Sequence, residues 1–190
     1  YGTIQRSPSG FVLTPSGWVR GAIVWRDGVI SGIEGEPVLA PDGSDLPYLL
    51  PGFVDLHNHG GDGEDFTGDA QAIRKFLRYH ARHGTVALAP TTSTAPVDVI
   101  ERALHTIEAV RTAPGEGEPL VLGAHLEGPF INPGKLGAQL DLTLEGDVEM
   151  AMRWADICPL VVATVAPEIP GAIELVEALA RRGCRLQIGH

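Results

Sequence analysis

The sequence predicts an α/β protein in which a short β segment precedes alternating parallel strands and helices. Three observations support this prediction. Apolar and amphipathic runs alternate from Gly52 onward, histidines and a glutamate follow several of the apolar runs, and residues 1–50 hold only short apolar segments separated by turns. The 190 residues are 44% hydrophobic, the composition of an ordinary globular core.

The first fifty residues are predicted to be β structure that ends in a linker. Phe11–Thr14 and Gly21–Arg26 are short apolar segments, and Asp27-Gly28 is typical of a hairpin turn that leads into Val29–Ile33. The following stretch, Glu34–Leu46, is rich in proline and glycine. It is interpreted as the linker between two domains.

Residues 51–190 are predicted to form the second domain. Its five strands are the apolar runs Gly52–Leu56, Val86–Pro90, Leu120–Leu126, Leu160–Val165 and Arg185–Ile188. Its four helices carry apolar residues three or four positions apart, over Asp69–His83, Val97–Arg111, Glu145–Ala155 and Ile169–Arg182. Thr91-Thr92-Ser93-Thr94 lies between the second strand and the second helix and is interpreted as a loop that caps that helix, with a substrate contact as the less favoured alternative.

Two architectures fit five parallel strands joined by helices: an open, doubly wound sheet, or the first part of a (βα)8 TIM-type barrel. The number of strands favours the open sheet, because a complete barrel needs about 250 residues. The polar residues favour the barrel, because His57, Glu127 and His190 end different strands and a barrel gathers its functional groups at that end. We therefore expect the first five strands of a barrel.

Charge and composition exclude several classes of partner. The formal net charge is −10 and no basic stripe offsets it, which argues against nucleic acid and anionic membranes. No apolar stretch reaches the roughly 18 residues of a membrane span, and no secretory leader opens the sequence. Cys158 and Cys184 lack a C-x-x-C spacing, so we expect buried thiols in a reducing, cytoplasmic compartment.

Two histidines follow the first strand of the second domain. His57 and His59 are one residue apart, and residues i and i+2 of a strand point to the same face, so both imidazoles can reach one point. Imidazole is a common ligand of zinc and related divalent metals. The apolar lead-in and the Gly60-Gly61 exit favour a metal site over a pair of solvated histidines.

A glutamate and a third histidine follow two later strands. Glu127 ends the third strand, and His190 follows Gly189 after the fifth. Each alone is an ordinary surface residue, but four potential ligands at three strand ends predict one metal site. His125 lies two residues before Glu127, so its side chain can point to the same face of the strand, and it is interpreted as a core histidine whose ring nitrogens are hydrogen-bonded. His80 is interpreted as an exposed or helix-end residue.

The motifs at these strand ends resemble those of a known hydrolase family. Pro51–Gly60 is similar to the first-strand motif of the amidohydrolase superfamily. His125–Pro133 resembles more specifically the N-acetylglucosamine-6-phosphate deacetylase family, and Thr164–Glu168 and Ile188–His190 follow in the order and spacing of that family. The resemblance covers about residues 10–190 and corresponds to the first half of a family member.

This resemblance implies a (βα)8 barrel with a small β-sandwich built from both ends of a longer chain, residues 1–50 supplying the first part. It implies a divalent metal held by Glu127, His190 and a histidine of strand 6. His57 and His59 would supply a second metal position, which some members lack. One or two ions are expected, with zinc the first choice and iron or manganese the alternatives.

The resemblance also implies hydrolysis of the acetamide of N-acetylglucosamine 6-phosphate by a homodimeric full-length protein. The general-base aspartate would come from strand 8, so these 190 residues are expected to hold no catalytic residue and to be inactive alone. Ala138 and Gln139 are the expected substrate-binding residues. Family members carry a hydrogen-bonding histidine where this chain has Gln139, whose amide donates a hydrogen bond but carries no proton.

Two alternatives stay open at this level. One is another amidohydrolase, such as a deacetylase of N-acetylgalactosamine 6-phosphate, which a panel of substrates would distinguish. The other is a non-catalytic, metal-binding half-barrel, which the mass of the natural polypeptide would distinguish.

Overall fold

The computed structural model describes residues 3–190. The chain divides into two compact units, of which the first ends at Pro51 and the second begins at Gly52. Each unit is described by itself. Within the described residues, no helix has the length and apolar character needed to span a membrane.

The first unit is a mixed sheet of five strands. They are β1 (Ile4–Arg6), β2 (Gly10–Thr14), β3 (Gly17–Arg26), β4 (Val29–Val38) and β5 (Tyr48–Leu49). β3 pairs antiparallel with β1, β2 and β4, and β5 joins β2 in parallel. The hairpin predicted at Asp27-Gly28 is confirmed, and both residues have the positive φ that a two-residue hairpin turn requires.

The linker predicted over Glu34–Leu46 begins too early. β4 continues to Val38 and places Pro37 opposite Val19. Proline has no backbone N–H to donate to a neighbouring strand. Among the described strands β4 pairs with β3 alone, so no strand on its other edge requires that hydrogen bond. The proline content therefore marked the edge of a sheet as well as a turn.

The second unit contains the predicted alternation of strands and helices. Its strands are β6 (Phe53–Asn58), β7 (Gly60–Gly61), β8 (Glu64–Asp65), β9 (Thr85–Pro90), β10 (Leu120–Val121), β11 (Ala124–Glu127), β12 (Leu160–Val165) and β13 (Arg185–Ile188). Its helices are α1 (Ala70–Ala81), α2 (Val97–Thr112), α3 (Val148–Ile157) and α4 (Ala172–Arg181). All four predicted helices are confirmed, with ends that differ by a few residues.

The parallel strands follow one another in chain order. β6, β9 and β10 form one parallel group, and β11, β12 and β13 form another. A parallel bridge between Thr91 and His125 joins the two groups, and the N–H of Leu122 donates to the carbonyl of Leu88 over 3.0 Å. Sequential parallel order with helical crossovers is the arrangement expected of the first part of a barrel.

The third predicted strand, Leu120–Leu126, is interrupted in the structure. Gly123 lies between β10 and β11 with φ of +147°, and a Cβ there would lie 2.3 Å from the carbonyl oxygen of Pro159. The break is therefore a glycine-dependent bend at which the chain passes close to the next strand. β11 begins directly after this bend, has a register irregularity between Ala124 and His125, and ends at Glu127.

The helices cover the strands with one apolar face each. The buried side chains of this core include Phe76 of α1, Leu104 of α2, Trp154 of α3 and Leu179 of α4. Asp69 begins α1 by accepting hydrogen bonds from the backbone N–H groups of the first turn.

The two cysteines lie in the same core. Cys158 follows α3 and Cys184 precedes β13, and both are free and buried, as predicted. Burial raises the pKa of the Cys158 thiol to about 12 and that of the Cys184 thiol to about 11.

Candidate metal centre

Three strand ends deliver the four predicted ligands to one place. His57 lies in β6 and His59 just after it, Glu127 ends β11, and His190 follows β13. Glu127 Oε2 lies 2.8 Å from His59 Nε2, and Glu127 Oε1 lies 3.3 Å from both His57 Nε2 and His190 Nε2. The two Nε2 atoms of His57 and His59 are 3.1 Å apart. Sequence parity and strand order thus produce a compact cluster.

These separations suit a shared divalent cation. Metal–nitrogen bonds of about 2.0–2.1 Å at tetrahedral angles place neighbouring ligand atoms roughly 3.3 Å apart. His57, His59 and Glu127 each offer a ligand atom within 4.8 Å of the others and could hold a metal ion together. Two imidazole nitrogens and one carboxylate oxygen are a donor set that zinc and neighbouring transition metals accept.

Glu127 is the buried centre of the cluster. Its side chain is 5% exposed, against 47% for His57 and 43% for His59. Burial alone would raise the pKa of Glu127, but the hydrogen bond to His59 and the charges of His57, His59 and His190 outweigh it and lower the pKa to about 2. The same hydrogen bond raises the pKa of His59. The carboxylate is therefore ionised and attracts positive charge to the strand ends.

The loop after β11 orients His190. His190 Nδ1 lies 3.2 Å from the carbonyl oxygen of Lys135, which only accepts, so Nδ1 carries the proton. Nε2 is then the ring nitrogen that faces Glu127, and it is the one that would offer a lone pair to a bound cation. The N–H of Asn132 also donates to the carbonyl of His190 over 3.0 Å, which ties the same loop to the end of β13.

His125 is the satisfied core histidine that the sequence predicted. It is 0% exposed. Its Nδ1 lies 3.0 Å from the carbonyl oxygen of Leu56 and its Nε2 lies 2.8 Å from Thr164 Oγ1. Burial, with the charge of His57, lowers the pKa of His125 to about 4, so the ring is neutral. It packs edge-on against His57 with ring centroids 4.6 Å apart and limits where that imidazole can point.

The predicted substrate-binding residues lie in the loop after β11. Ala138 is exposed, and Gln139 is half-buried. Gln139 Nε2 donates to Glu127 Oε2 over 3.0 Å, and Gln139 Oε1 accepts from the backbone N–H of Thr94 over 2.6 Å. Gln139 therefore contacts a candidate metal ligand directly, a contact that the sequence did not predict.

Comparison with known proteins places these features in context. No family model matches the chain. The N-acetylgalactosamine-6-phosphate deacetylase of Escherichia coli O157:H7 is 36% identical over 185 residues, which cover 94% of this chain and 48% of that protein. The N-acetylglucosamine-6-phosphate deacetylase of Lysinibacillus sphaericus is 35% identical over 150 residues, which cover 75% of this chain and 38% of that protein. The chain thus spans about half, or less, of the length of these curated relatives.

Solved structures agree with the sequence comparison. A variant of N-acetyl-D-glucosamine-6-phosphate deacetylase from Mycobacterium smegmatis, in complex with N-acetyl-D-glucosamine-6-phosphate, superposes with a TM-score of 0.81 at 26% identity, over 100% of this chain and 50% of that one. The enzyme of the same name from Thermotoga maritima gives a TM-score of 0.78 at 26% identity, over 98% of this chain and 48% of that one. Over most of its length, the chain is thus similar to N-acetylglucosamine-6-phosphate deacetylases.

One prediction about the loop after β9 is wrong. The segment Thr91–Thr94, here called the hydroxyl segment, was expected to cap α2. That helix instead follows Pro96, which makes no side-chain cap hydrogen bond. Ser93 Oγ lies 3.1 Å from His59 Nδ1, so the hydroxyl segment faces the candidate metal centre rather than the helix.

Two buried threonines of the hydroxyl segment connect the strands that carry the ligands. Thr91 Oγ1 accepts the N–H of Asn58 over 2.7 Å. Thr92 Oγ1 accepts the N–H of Glu127 and donates to the carbonyl of the same residue, both over 3.2 Å. Because both threonine side chains are 0% exposed, these bonds are shielded from water and fix β6 and β11 relative to β9.

The sequence also gave no sign of a contact between His80 and the turn that follows His59. His80 Nε2 lies 3.0 Å from the carbonyl oxygen of Gly60, to which it donates. Gly60 follows His59 and begins the short β7–β8 hairpin, with φ of +141°. Helix α1 thereby supports the turn that leads the chain away from the candidate metal centre.

Proposed function

We propose that the full-length protein hydrolyses the acetamide of N-acetylglucosamine 6-phosphate to glucosamine 6-phosphate and acetate. The observation that carries this proposal is the cluster of His57, His59 and His190 around the buried carboxylate of Glu127, in a chain similar to these deacetylases. The M. smegmatis relative bound to N-acetyl-D-glucosamine-6-phosphate supports the choice of substrate.

The proposed metal position is built from Glu127 and His190, with one further histidine from the part of the protein outside this chain. His57 and His59 would contribute a second position beside it. When bound, a divalent cation would supply hydroxide at neutral pH and polarise the acetamide carbonyl. Zinc is the first choice for a donor set of imidazoles and one carboxylate, and iron and manganese are the alternatives.

The residues of this chain would mainly bind and orient. Glu127 provides the fixed negative charge, His190 presents its Nε2 lone pair, and neutral His125 holds the ring of His57 in place. Ala138 and Gln139 lie at the loop where the sugar would approach. The proton of the attacking water would pass to the leaving amine through an aspartate outside this chain, acting as general base and then general acid.

The proposal for the whole protein extends the two units seen here. Residues 51–190 would form the first part of an eight-stranded barrel, and residues 1–50 would complete a small β-sandwich with strands from the far end of the full chain. We further propose a homodimer without nucleic-acid or membrane partners. The buried, free thiols of Cys158 and Cys184 support a reducing, cytoplasmic compartment.

A second substrate has a specific observation in its favour. The E. coli relative that aligns with 94% of this chain is named for N-acetylgalactosamine 6-phosphate, which differs from the glucosamine compound at a single hydroxyl-bearing carbon. The metal chemistry would be the same for both sugars. Contacts to that hydroxyl would decide between them.

Turnover of both sugar phosphates by the purified full-length protein tests the proposal. We expect acetate release from N-acetylglucosamine 6-phosphate that a chelator abolishes and added zinc restores. A higher kcat/KM for the galactosamine compound would assign the second substrate instead. If the metal-loaded, folded protein released acetate from neither compound, the deacetylase proposal would be wrong and the non-catalytic metal-binding reading would replace it.

A further inference from the structure

The amide of Gln139 lies between two groups of opposite polarity. On one side, the backbone N–H of Thr94 is 2.6 Å from Gln139 Oε1. On the other, Glu127 Oε2 is 3.0 Å from Gln139 Nε2. A backbone N–H only donates, so it must face the amide oxygen, which leaves the amide nitrogen to donate to the Glu127 carboxylate. The amide therefore has one orientation that satisfies both neighbours, and the reversed orientation would set acceptor against acceptor and donor against donor.

The Thr94 anchor and the backbone of Gln139 are both held by close contacts. Thr94 is 2% exposed, and Gly128 approaches it so closely that a Cβ on that glycine would lie 2.2 Å from Thr94 Oγ1. The N–H of Gln139 donates to the carbonyl of Leu136 over 3.0 Å, which fixes the backbone of Gln139 itself. The side chain thus spans a short distance between a buried loop and the carboxylate.

Glu127 has two oxygens, and only one of them faces Gln139. Oε2 receives the amide hydrogen bond and His59, while Oε1 faces His57 and His190. A carboxylate can rotate about its last side-chain torsion, which has a broad energy minimum. A hydrogen bond from a fixed donor to Oε2 removes that freedom and leaves Oε1 directed at the two other imidazoles.

We propose that Gln139 is a positioning residue of the metal centre, whose oriented amide holds the Glu127 carboxylate ready for the cation. The inference rests on the metal centre described under the proposed function and adds to it a residue that acts through Glu127 rather than through the sugar. Groups that hydrogen-bond metal ligands typically change metal affinity about 10–100-fold. The Thr94 backbone, Gln139 and Glu127 form one such chain of hydrogen bonds.

Metal affinity of the full-length protein, measured for zinc by competition with a chromophoric chelator, tests this role. Gln139→Met keeps the length of the side chain and removes both hydrogen bonds, so we expect the dissociation constant for zinc to rise about ten-fold. Gln139→His restores one acceptor and one donor on a neutral ring, and we expect most of the affinity to return. Gln71→Met, on the exposed face of α1, is the matched control and should leave zinc affinity unchanged.

The outcomes separate this role from the alternatives. The melting temperature of the metal-free Gln139→Met protein should stay close to that of the metal-free wild type. Wild-type zinc affinity in Gln139→Met, with a raised KM, would overturn the proposal and leave Gln139 as a substrate contact. Equal loss of zinc affinity in the Met and His variants would also overturn it, because packing would then explain the effect. Because zinc affinity is measured without turnover, absence of deacetylase activity would not hide either result.

Discussion

Two buried glutamates in the second unit have opposite surroundings. Glu127, at the end of β11, is 5% exposed and faces three imidazoles. Glu118, just before β10, is 1% exposed and faces two guanidinium groups. Its Oε2 lies 2.6 Å from Arg74 Nη1 and its Oε1 lies 3.4 Å from Arg78 Nη1, and it accepts the N–H of Gly115 over 2.9 Å.

The chemistry of the partners decides what each buried carboxylate can do. A guanidinium is always charged and has no lone pair for a metal, so Arg74 and Arg78 neutralise Glu118 permanently and attach α1 to the segment before β10. An imidazole loses its proton near neutral pH and then offers a lone pair. The same burial therefore produces a structural ion pair before one strand and a candidate metal centre at the end of another.

Replacement of Glu127 would have the largest effect on function. Glu127→Gln keeps the size of the side chain but loses the charge that holds the cation. We expect zinc affinity to fall more than about 100-fold, beyond the usual cost of losing an outer hydrogen bond, and turnover of the full-length protein to be abolished. Elemental analysis and acetate release measure the two effects. The exposed Glu177→Gln variant of α4 serves as the control, and unchanged zinc content in Glu127→Gln would rule out its role as a ligand.

Replacement of Glu118 should lower the stability of the protein and leave its zinc affinity unchanged. Glu118→Gln leaves Arg74 partly buried without its counter-charge, and breaking a buried pair in this way costs about 3 kcal/mol of the free energy of unfolding. Urea denaturation of the full-length protein measures that loss. Zinc affinity should stay at the wild-type value. Glu149→Gln, which breaks an exposed pair with Arg153, should cost less than about 1 kcal/mol, and equal losses in the two variants would contradict the buried-pair assignment.

Zinc should stabilise the protein through one of the two glutamates only. At a free zinc concentration about 100 times the dissociation constant, binding to the folded state adds about 2.7 kcal/mol to the free energy of unfolding. We expect this gain in the wild type and in Glu118→Gln, and its absence in Glu127→Gln. Thermal melts with and without zinc provide the measurement. A gain that survives in Glu127→Gln would place the bound zinc elsewhere.

The smallest effect is expected from His57. If Glu127 and His190 hold the essential ion, His57→Ala removes only the second position and the contact with His125. We expect a decrease in turnover of about ten-fold or less, a scale typical of groups that tune a metal site rather than hold it. Steady-state kinetics at saturating zinc test this. Loss as complete as in Glu127→Gln would show that both positions are required.

Local patterns in the sequence predicted that the side chains of His57, His59, Glu127 and His190 would lie close together. The i, i+2 parity of His57 and His59 follows from strand geometry alone, and Glu127 and His190 are positioned by the ends of two parallel strands. These features need no knowledge of distant contacts. The four helices were likewise predictable, because each one has an apolar face that repeats along a short stretch of chain.

Contacts between distant segments were not predictable in this way. The hydroxyl segment has the composition of a helix cap, and only the approach of Glu127 turns Thr92 into a bridge between strands. The bond from Gln139 to Glu127 joins residues on either side of a loop, and His80 meets Gly60 across a hairpin with no signature in the sequence. In each case a polar side chain could form its hydrogen bonds with several different partners, and tertiary packing selects one of them.

The two buried cysteines can report how fast the regions around them open to solvent. Burial raises the pKa of the Cys158 thiol to about 12, so almost none of it is thiolate at pH 7 and an alkylating reagent reacts very slowly with the closed protein. Labelling of Cys158 would therefore time the opening of the region that follows α3, and labelling of Cys184 the region that precedes β13. The mass of the alkylated protein over time would reveal whether these two regions open together or one before the other.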